Sequence, residues 1–287
     1  MCGHNSWLSA SKWESCPMRE ITKDTQLCIS LSARPTNIGT RFHNHLYEVL
    51  DLDFIYKAFT TDDITQAIAG VRGLGIRGCA VSMPWKEDVI AMVDEMADSA
   101  VAIQSVNTIV NNAGHLTAYN TDYQAIYDLL DSHNVRPGSF AVLGSGGMAK
   151  AAVAALTNAG FGPGTVVARN ETSGRALAEQ YGHTWRPTAD GLETSLVLNA
   201  TPVGMAGGPA QDELAVHESV IAQANVIFDV VAFPSETPLV LAARALGKPV
   251  ITGAEVIALQ AAEQFVLYTG VRPTHDQVAE ASRISRA

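Results

Sequence analysis

Residues Ser139–Leu156 read SFAVLGSGGMAKAAVAAL, and this stretch decides the fold. Ser139-Phe-Ala-Val-Leu143 is a short apolar strand that follows the turn signal Arg136-Pro137-Gly138. Gly144-Ser-Gly-Gly-Met-Ala-Lys150 is a glycine-rich loop, and the alanine-rich run to Leu156 is a strong helix former closed by Ala159-Gly160. Glycines let the backbone approach an anion closely, and the amides at the start of the helix face it with the positive end of the dipole. A glycine triplet alone is weak evidence, equally served by a tight turn. Between a strand and a helix, Gly144, Gly146 and Gly147 in the form G-x-G-G-x-A predict a dinucleotide loop.

Short β-branched apolar runs alternate with helical patterns on both sides of this unit, the mark of parallel α/β sheets. Downstream, strands are expected at Thr165–Ala168, Leu196–Asn199, Val226–Val231 and Val250–Thr252, with a helix from Thr237-Pro238 to Gly247. Upstream, Phe54–Ala58 and Gly78–Ser82 read as strands. Between them a helix opens at Asp62-Asp63-Ile64, spaces Ile64, Ile68, Val71 and Leu74 on one face and stops at Gly75. The N-terminal part is thus an α/β domain of its own. A helix spans Tyr123 to His133, another Glu255 to Tyr268, and a last one starts at the capping box Thr274-x-x-Gln277. With no strand left to follow, the final helices are expected to pack back on the first domain, so that two crossings join the domains and a ligand cleft lies between them.

The end of the strand after the loop selects the dinucleotide. An acid there would bind the ribose 2′-hydroxyl, whereas a 2′-phosphate needs a cation. Here Val166-Val-Ala168-Arg169-Asn170 carries no acid before Glu171, and Arg169 offers a planar fork with Thr172 and Arg175 close behind. This predicts NADP over NAD; the alternative is a solvated loop arginine.

The 287-residue length favours two compact domains, and 47% hydrophobic against 17% charged residues supplies a core rather than extended disorder. A net charge of −10 disfavours nucleic acid and acidic membranes as partners, while a local basic pocket still holds a small anion. No apolar run is long enough to span a bilayer and no secretory signal is visible, so a cytoplasmic location is expected. Cys2, Cys16, Cys28 and Cys79 lack metal-ligand or disulfide-framework spacing and read as incidental thiols; no metal is expected. Residues 1–27, with Trp7 and Trp13, read as an N-terminal extension or an added strand.

Several separated segments together resemble the shikimate dehydrogenase family, and its shikimate dehydrogenase-like branch in particular. They are Ser30-Leu-Ser32, Met83-Pro-Trp-Lys86-Glu-Asp, Ser105-Val-Asn107-Thr, Tyr119-Asn-Thr-Asp122, Gly144-Ser-Gly-Gly147, Asn199-Ala-Thr-Pro-Val-Gly-Met205, Thr237-Pro-Leu and Gln260, in family order from about Cys28 to Gly270. The resemblance implies a substrate-binding α/β domain of residues 1–119 plus 255–287 and an NADP-binding, Rossmann-like doubly wound domain of residues 120–254. It implies hydride transfer between NADP and the secondary alcohol or ketone of shikimate, 3-dehydroshikimate or a close cyclic hydroxy acid. Lys86 and Asp122 are then the catalytic pair. Cleft desolvation would help the Lys86 ammonium release its proton and Asp122 would oppose it, so Asp122 either orients, binds substrate or relays a proton. Ser30, Ser32, Ser82, Asn107 and Gln260 would bind substrate. Gly144, Gly146, Gly147, Met148, Ala168, Arg169, Asn199, Thr201, Val231 and Gly253 would bind the cofactor, with Gly204 and Met205 beside the nicotinamide.

Departures fall around the substrate pocket. The stretch from Ala33 to Phe42 is longer than usual and should border it, Trp85 stands for a histidine, Ala80 for an asparagine and Ala232 for a tyrosine. Arg34 either supplies a carboxylate fork or is solvated. Quinate or aminoshikimate dehydrogenase activity therefore stays open, as does a non-catalytic NADP-binding sensor or docking protein. No tyrosine is followed four positions later by lysine, so a short-chain dehydrogenase has no support. The expected assembly is a monomer or homodimer.

Overall fold

The computed structural model describes residues 20–101 and 103–286. Trp7, Trp13, Cys2, Cys16 and most of the expected N-terminal extension lie outside the described residues.

The first half runs β1 (Gln26–Leu31), α1 (Ile38–Val49), β2 (Phe54–Phe59), α2 (Ile64–Gly73), β3 (Gly78–Val81), β4 (Glu95–Met96), α3 (Asp98–Val101), β5 (Thr108–Asn112) and β6 (His115–Tyr119). The second runs α4 (Thr121–Ser132), β7 (Phe140–Leu143), α5 (Gly147–Asn158), β8 (Gly164–Val167), α6 (Glu171–Gln180), β9 (Thr184–Arg186), β10 (Leu196–Asn199), α7 (Glu218–Gln223), β11 (Val226–Asp229), α8 (Pro238–Ala245) and β12 (Val250–Thr252). Two helices, α9 (Gly253–Thr269) and α10 (His275–Arg286), close the chain.

Each half holds one six-stranded sheet. The second is fully parallel in the order β12-β11-β10-β7-β8-β9. Counted from β7, this is the doubly wound order with its reversal between β7 and β10. The first sheet, β2-β1-β3-β5-β6-β4, is mixed, because β5 pairs antiparallel with both β3 and β6. The parallel reading thus holds for the second sheet and only partly for the first. The strands expected at Phe54 and Gly78 do not touch; β1 lies between them and pairs with both.

Side chains alternate across the first sheet and feed two cores. Ile29 and Leu31 of β1 pack with Ile64, Ile68 and Val71 of α2, while Cys28 faces Phe42 and Leu46 of α1. The Cys28 thiol is pushed up to about 12 by burial, and burial also raises Cys79, leaving both as unreactive packing groups. Around the second sheet, α5 buries Ala149, Ala151 to Ala155 and Leu156, as a helix apolar on most sides must. One of its cores includes Ile126 and Leu129 of α4 and Val256 of α9.

α9 is shared. Val256 joins the second half's core, whereas Ala261, Ala262, Phe265 and Tyr268 join the first half's core with α1. α10 packs on α1, so the final helices return to the first half as expected. No helix among the described residues is long and apolar enough to cross a membrane.

Candidate active site

The expected glycine loop forms at the reversal of strand order. Gly144 follows β7 with φ +111°, a left-handed value that excludes most side chains, and a β-carbon there would lie 3.1 Å from the Ala200 carbonyl. Gly146 is the exposed N-cap of α5 and Gly147 its first residue. Asn199 and Thr201 leave β10 alongside. The Asn199 carboxamide is fully used: Oδ1 accepts from the Thr201 amide and hydroxyl, and Nδ2 donates to Asp229 and the Val203 carbonyl. The Asn199 side chain therefore shapes the turn that leaves β10.

Asp229, which sequence reasoning missed, anchors this region. It is fully buried at the end of β11 and accepts from Asn199, the Val231 amide and the Thr237 hydroxyl. Burial pushes its carboxyl up, and those three donors oppose the shift. Thr237 also caps α8. Gly253 has no room for a side chain: a β-carbon would meet the Val231 carbonyl oxygen at 2.3 Å. Val231 and Gly253 thus lie together at the strand ends, and Met148 is half-buried on the first turn of α5.

Ala168 follows β8 and accepts a hydrogen bond from the Trp185 indole. Arg169 next to it is exposed and makes no hydrogen bond or ion pair among the described residues. Its neighbours are committed: Asn170 caps α6, and Arg175 pairs with Glu171 at 2.7 Å and stacks on Trp185 at 4.5 Å. Among the described residues Arg169 is the unpaired cation at this strand end. Open space over Gly146, helix amides and an unpaired guanidinium together fit a phosphorylated dinucleotide.

Lys86 and Asp122 come from different elements and meet as an ion pair, Lys86 Nζ donating to Asp122 Oδ2. Lys86 follows the turn in which the Trp85 amide donates to the Ser82 carbonyl, and the Val106 amide holds the Lys86 carbonyl. Asp122 lies in the first turn of α4. Asn120 is the N-cap: its Oδ1 accepts from the Asp122 and Tyr123 amides and its Nδ2 donates to the Ser105 carbonyl. Asp122 is fully buried, and its Oδ1 has no partner among the described residues.

The pair faces the glycine loop. A β-carbon on Gly147 would lie 2.7 Å from the Ser105 hydroxyl and 3.5 Å from Lys86 Cδ. Lys150 of α5 reaches Glu87, the residue after Lys86, at 2.6 Å. Ser105 was quoted in the sequence only as part of a motif; its burial against Gly147 emerges from the fold.

The other expected substrate residues divide. Ser30 is half-buried in β1 and hydrogen-bonded to the Tyr56 phenol, Ser32 accepts from the Arg34 amide, and Ser82 is exposed beside Met83. The long segment is tied to the lysine turn by the Ala33 amide, which donates to the Met83 carbonyl, and its second part is the start of α1. Arg34 is exposed. Asn107 is buried beside Thr121, whereas Gln260 is half-buried and makes no hydrogen bond among the described residues. Gln264, one turn later and unremarked in the sequence, reaches Asn107 instead. A groove of about 970 Å³ between α4, α9 and α10 includes none of these residues, and its Arg272 and His133 are already paired with Glu263 and Glu255.

A family profile described as the shikimate dehydrogenase substrate binding domain matches residues 36–109. The shikimate dehydrogenase-like protein of Haemophilus influenzae is 52% identical over 267 residues, covering 93% of this chain and 98% of that protein. This chain belongs to the shikimate dehydrogenase family. The solved structure of a shikimate 5-dehydrogenase-like protein superposes with a TM-score of 0.87 at 52% identity, over 93% of this chain and 100% of that one. The shikimate 5-dehydrogenase of Thermus thermophilus, solved with NADP(H) and shikimate, gives a TM-score of 0.79 at 29% identity, over 91% of this chain and 99% of that one. The family is one of NADP-dependent oxidoreductases.

Proposed function

We propose that the protein is an NADP-dependent dehydrogenase of a cyclic hydroxy acid, shikimate or a close relative. The observation that carries the reading is the ion pair of half-buried Lys86 with buried Asp122, in which Lys86 lies against Gly147, the first residue of the helix that would receive the dinucleotide. Bound NADP supplies a nicotinamide C4 that accepts or returns a hydride.

The chain's own residues handle the proton. The substrate hydroxyl donates to Asp122 Oδ1, the oxygen without a partner, or to a deprotonated Lys86 amine in place of the Asp122 contact. As the hydride leaves the ring carbon, the hydroxyl proton passes to this pair and the oxygen becomes a carbonyl. Asp122 also holds Lys86 in register, which is why its second oxygen is used internally. Ser30 and Ser32 offer short hydroxyls for the carboxylate, and Asn107 an amide N–H for a ring hydroxyl. Gly144, Gly146, Gly147 and Met148 hold the pyrophosphate, Arg169 the 2′-phosphate, and Ala168, Thr201, Val231 and Gly253 line the remainder.

The test is a panel of cyclic hydroxy acids with NADP and NAD in parallel, read as reduced-nicotinamide absorbance. Turnover with shikimate or a close analogue, abolished by Lys86→Met, is expected. No turnover across the panel would overturn the reading.

A further inference from the structure

α9 begins against Val231 and carries Gln264 three turns later, by which point the helix has left the second core for the first. Gln264 is 7% exposed. Its Nε2 donates to the Thr108 hydroxyl at 3.1 Å and to the Asn107 carbonyl at 3.4 Å. A backbone carbonyl only accepts, so the end of Gln264 facing it is the NH₂. Thr108 in turn donates to Asn107 Oδ1 at 2.8 Å. The same oxygen accepts from the Thr121 amide at 2.9 Å, and a backbone amide only donates. Asn107 Nδ2 gives one proton to the Thr121 hydroxyl at 3.0 Å, which leaves its second proton free among the described residues. All four residues are at least nine-tenths buried, and Thr121 precedes Asp122 in the chain.

We propose that Gln264 is a positioning residue for the substrate amide. By donating to Thr108 it sends the single Thr108 proton to Asn107 Oδ1, and this, together with the Thr121 amide and hydroxyl on the same oxygen, holds the Asn107 carboxamide with its free N–H available as a donor to a substrate hydroxyl. The inference rests on the reading that Asn107 binds substrate. Direction matters more than contact: a hydrogen-bond chain with every proton pointing one way is broken by turning its first donor into an acceptor.

Gln264→Glu does this at nearly constant shape. Its oxygen takes the Thr108 proton and leaves a Thr108 lone pair facing Asn107 Oδ1. Gln264→Met only removes the donor. Expected are a rise in substrate KM of about tenfold for Gln264→Glu and about threefold for Gln264→Met, with kcat and the KM for NADP within twofold of wild type. Thr108→Val cuts the chain, so in that background the excess KM effect of Gln264→Glu over Gln264→Met shrinks to what the Asn107 carbonyl and the neighbouring His43 imidazole contribute. Should the glutamate variant fail to fold, Gln264→Met and Thr108→Val combined raise KM no more than either alone. The Asn107 side-chain amide resonances, identified by their loss in Asn107→Ser, read the relay without substrate and shift in Gln264→Glu. Equal KM for Gln264→Glu and Gln264→Met, additive effects of Gln264→Met and Thr108→Val, or unmoved Asn107 resonances would overturn the proposal. Shifted resonances in a protein that turns over no cyclic hydroxy acid would uphold the relay and remove only the substrate assignment.

Discussion

At Gly147 the second half of the molecule meets Ser105 and Lys86 of the first, and replacing it by alanine tests that closeness. The backbone tolerates alanine, since Gly147 is not among the glycines with positive φ. Space is the obstacle: the new β-carbon would sit 2.7 Å from Ser105 Oγ, with Lys86 Cδ at 3.5 Å and Ser105 Cβ at 3.7 Å. Only the hydroxyl is too close. Ser105 is fully buried, so swinging it elsewhere displaces packed neighbours, and overpacking of this kind costs about 1–3 kcal/mol. Removing the hydroxyl removes the clash. In Ser105→Ala the nearest contacts to an alanine at 147 are ordinary van der Waals distances. The gain of about 0.4–1 kcal/mol from a stiffer unfolded chain then shows through. A double-mutant cycle read by urea unfolding should therefore give a coupling of about 1–3 kcal/mol between positions 105 and 147, with the KM for NADP raised in Gly147→Ala and largely restored in the double variant. Equal effects of Gly147→Ala in both backgrounds would refute the contact.

Three further outcomes follow from the geometry. Lys86→Met strands the fully buried Asp122 carboxylate and should cost about 3–5 kcal/mol in chemical denaturation, most of it recovered by adding Asp122→Asn; a cost unchanged by that second substitution would refute the pairing. Arg169→Ala should raise the KM for NADP about 10- to 100-fold and leave that for NAD alone, whereas equal losses would remove its role in reading the 2′-phosphate. His43 is buried and stacked on Tyr56 at 4.3 Å, and burial pushes its imidazole down from 6.5 to about 3. The unfolded chain binds the extra proton between those values, so stability present above pH 6.5 falls as pH drops toward 3, by about 2 kcal/mol between pH 6.5 and 5. Urea titrations at the two pH values measure this, His43→Phe should flatten it, and an equal slope in both proteins would refute the assignment.

The second sheet was the more legible half because its strands are short apolar runs set off by turn residues. Leu196–Asn199 is read with its observed ends, and the glycine loop lies where the pattern placed it. The first sheet hides itself. β5 and β6 carry Thr108, Asn111 and Thr117 at buried positions, and Asn111 spends its amide on the Val71 carbonyl and the Gly114 amide. Polar side chains that are satisfied only after folding erase the apolar run that marks a strand. α1 is masked in the same way by His43, which sits inside an aromatic cage that no local window reveals. At the site, the motifs name Lys86 and Asp122, but Gln260 and Gln264 share one face of α9. Helical periodicity cannot say which glutamine meets β5, since that depends on how far along α9 the first sheet lies.

The chain passes from the first sheet to the second at Asn120 and returns along α9, which starts at Gly253. Both junctions are tightly built: Asn120 caps the helix that presents Asp122, and Gly253 abuts Val231. Grafting a foreign nucleotide lobe onto this scaffold would thus require one splice two residues from Asp122 and another against Val231. The lobe and its two junctions would have to be replaced together, because each junction is packed into both sheets' surroundings through α4 and α9.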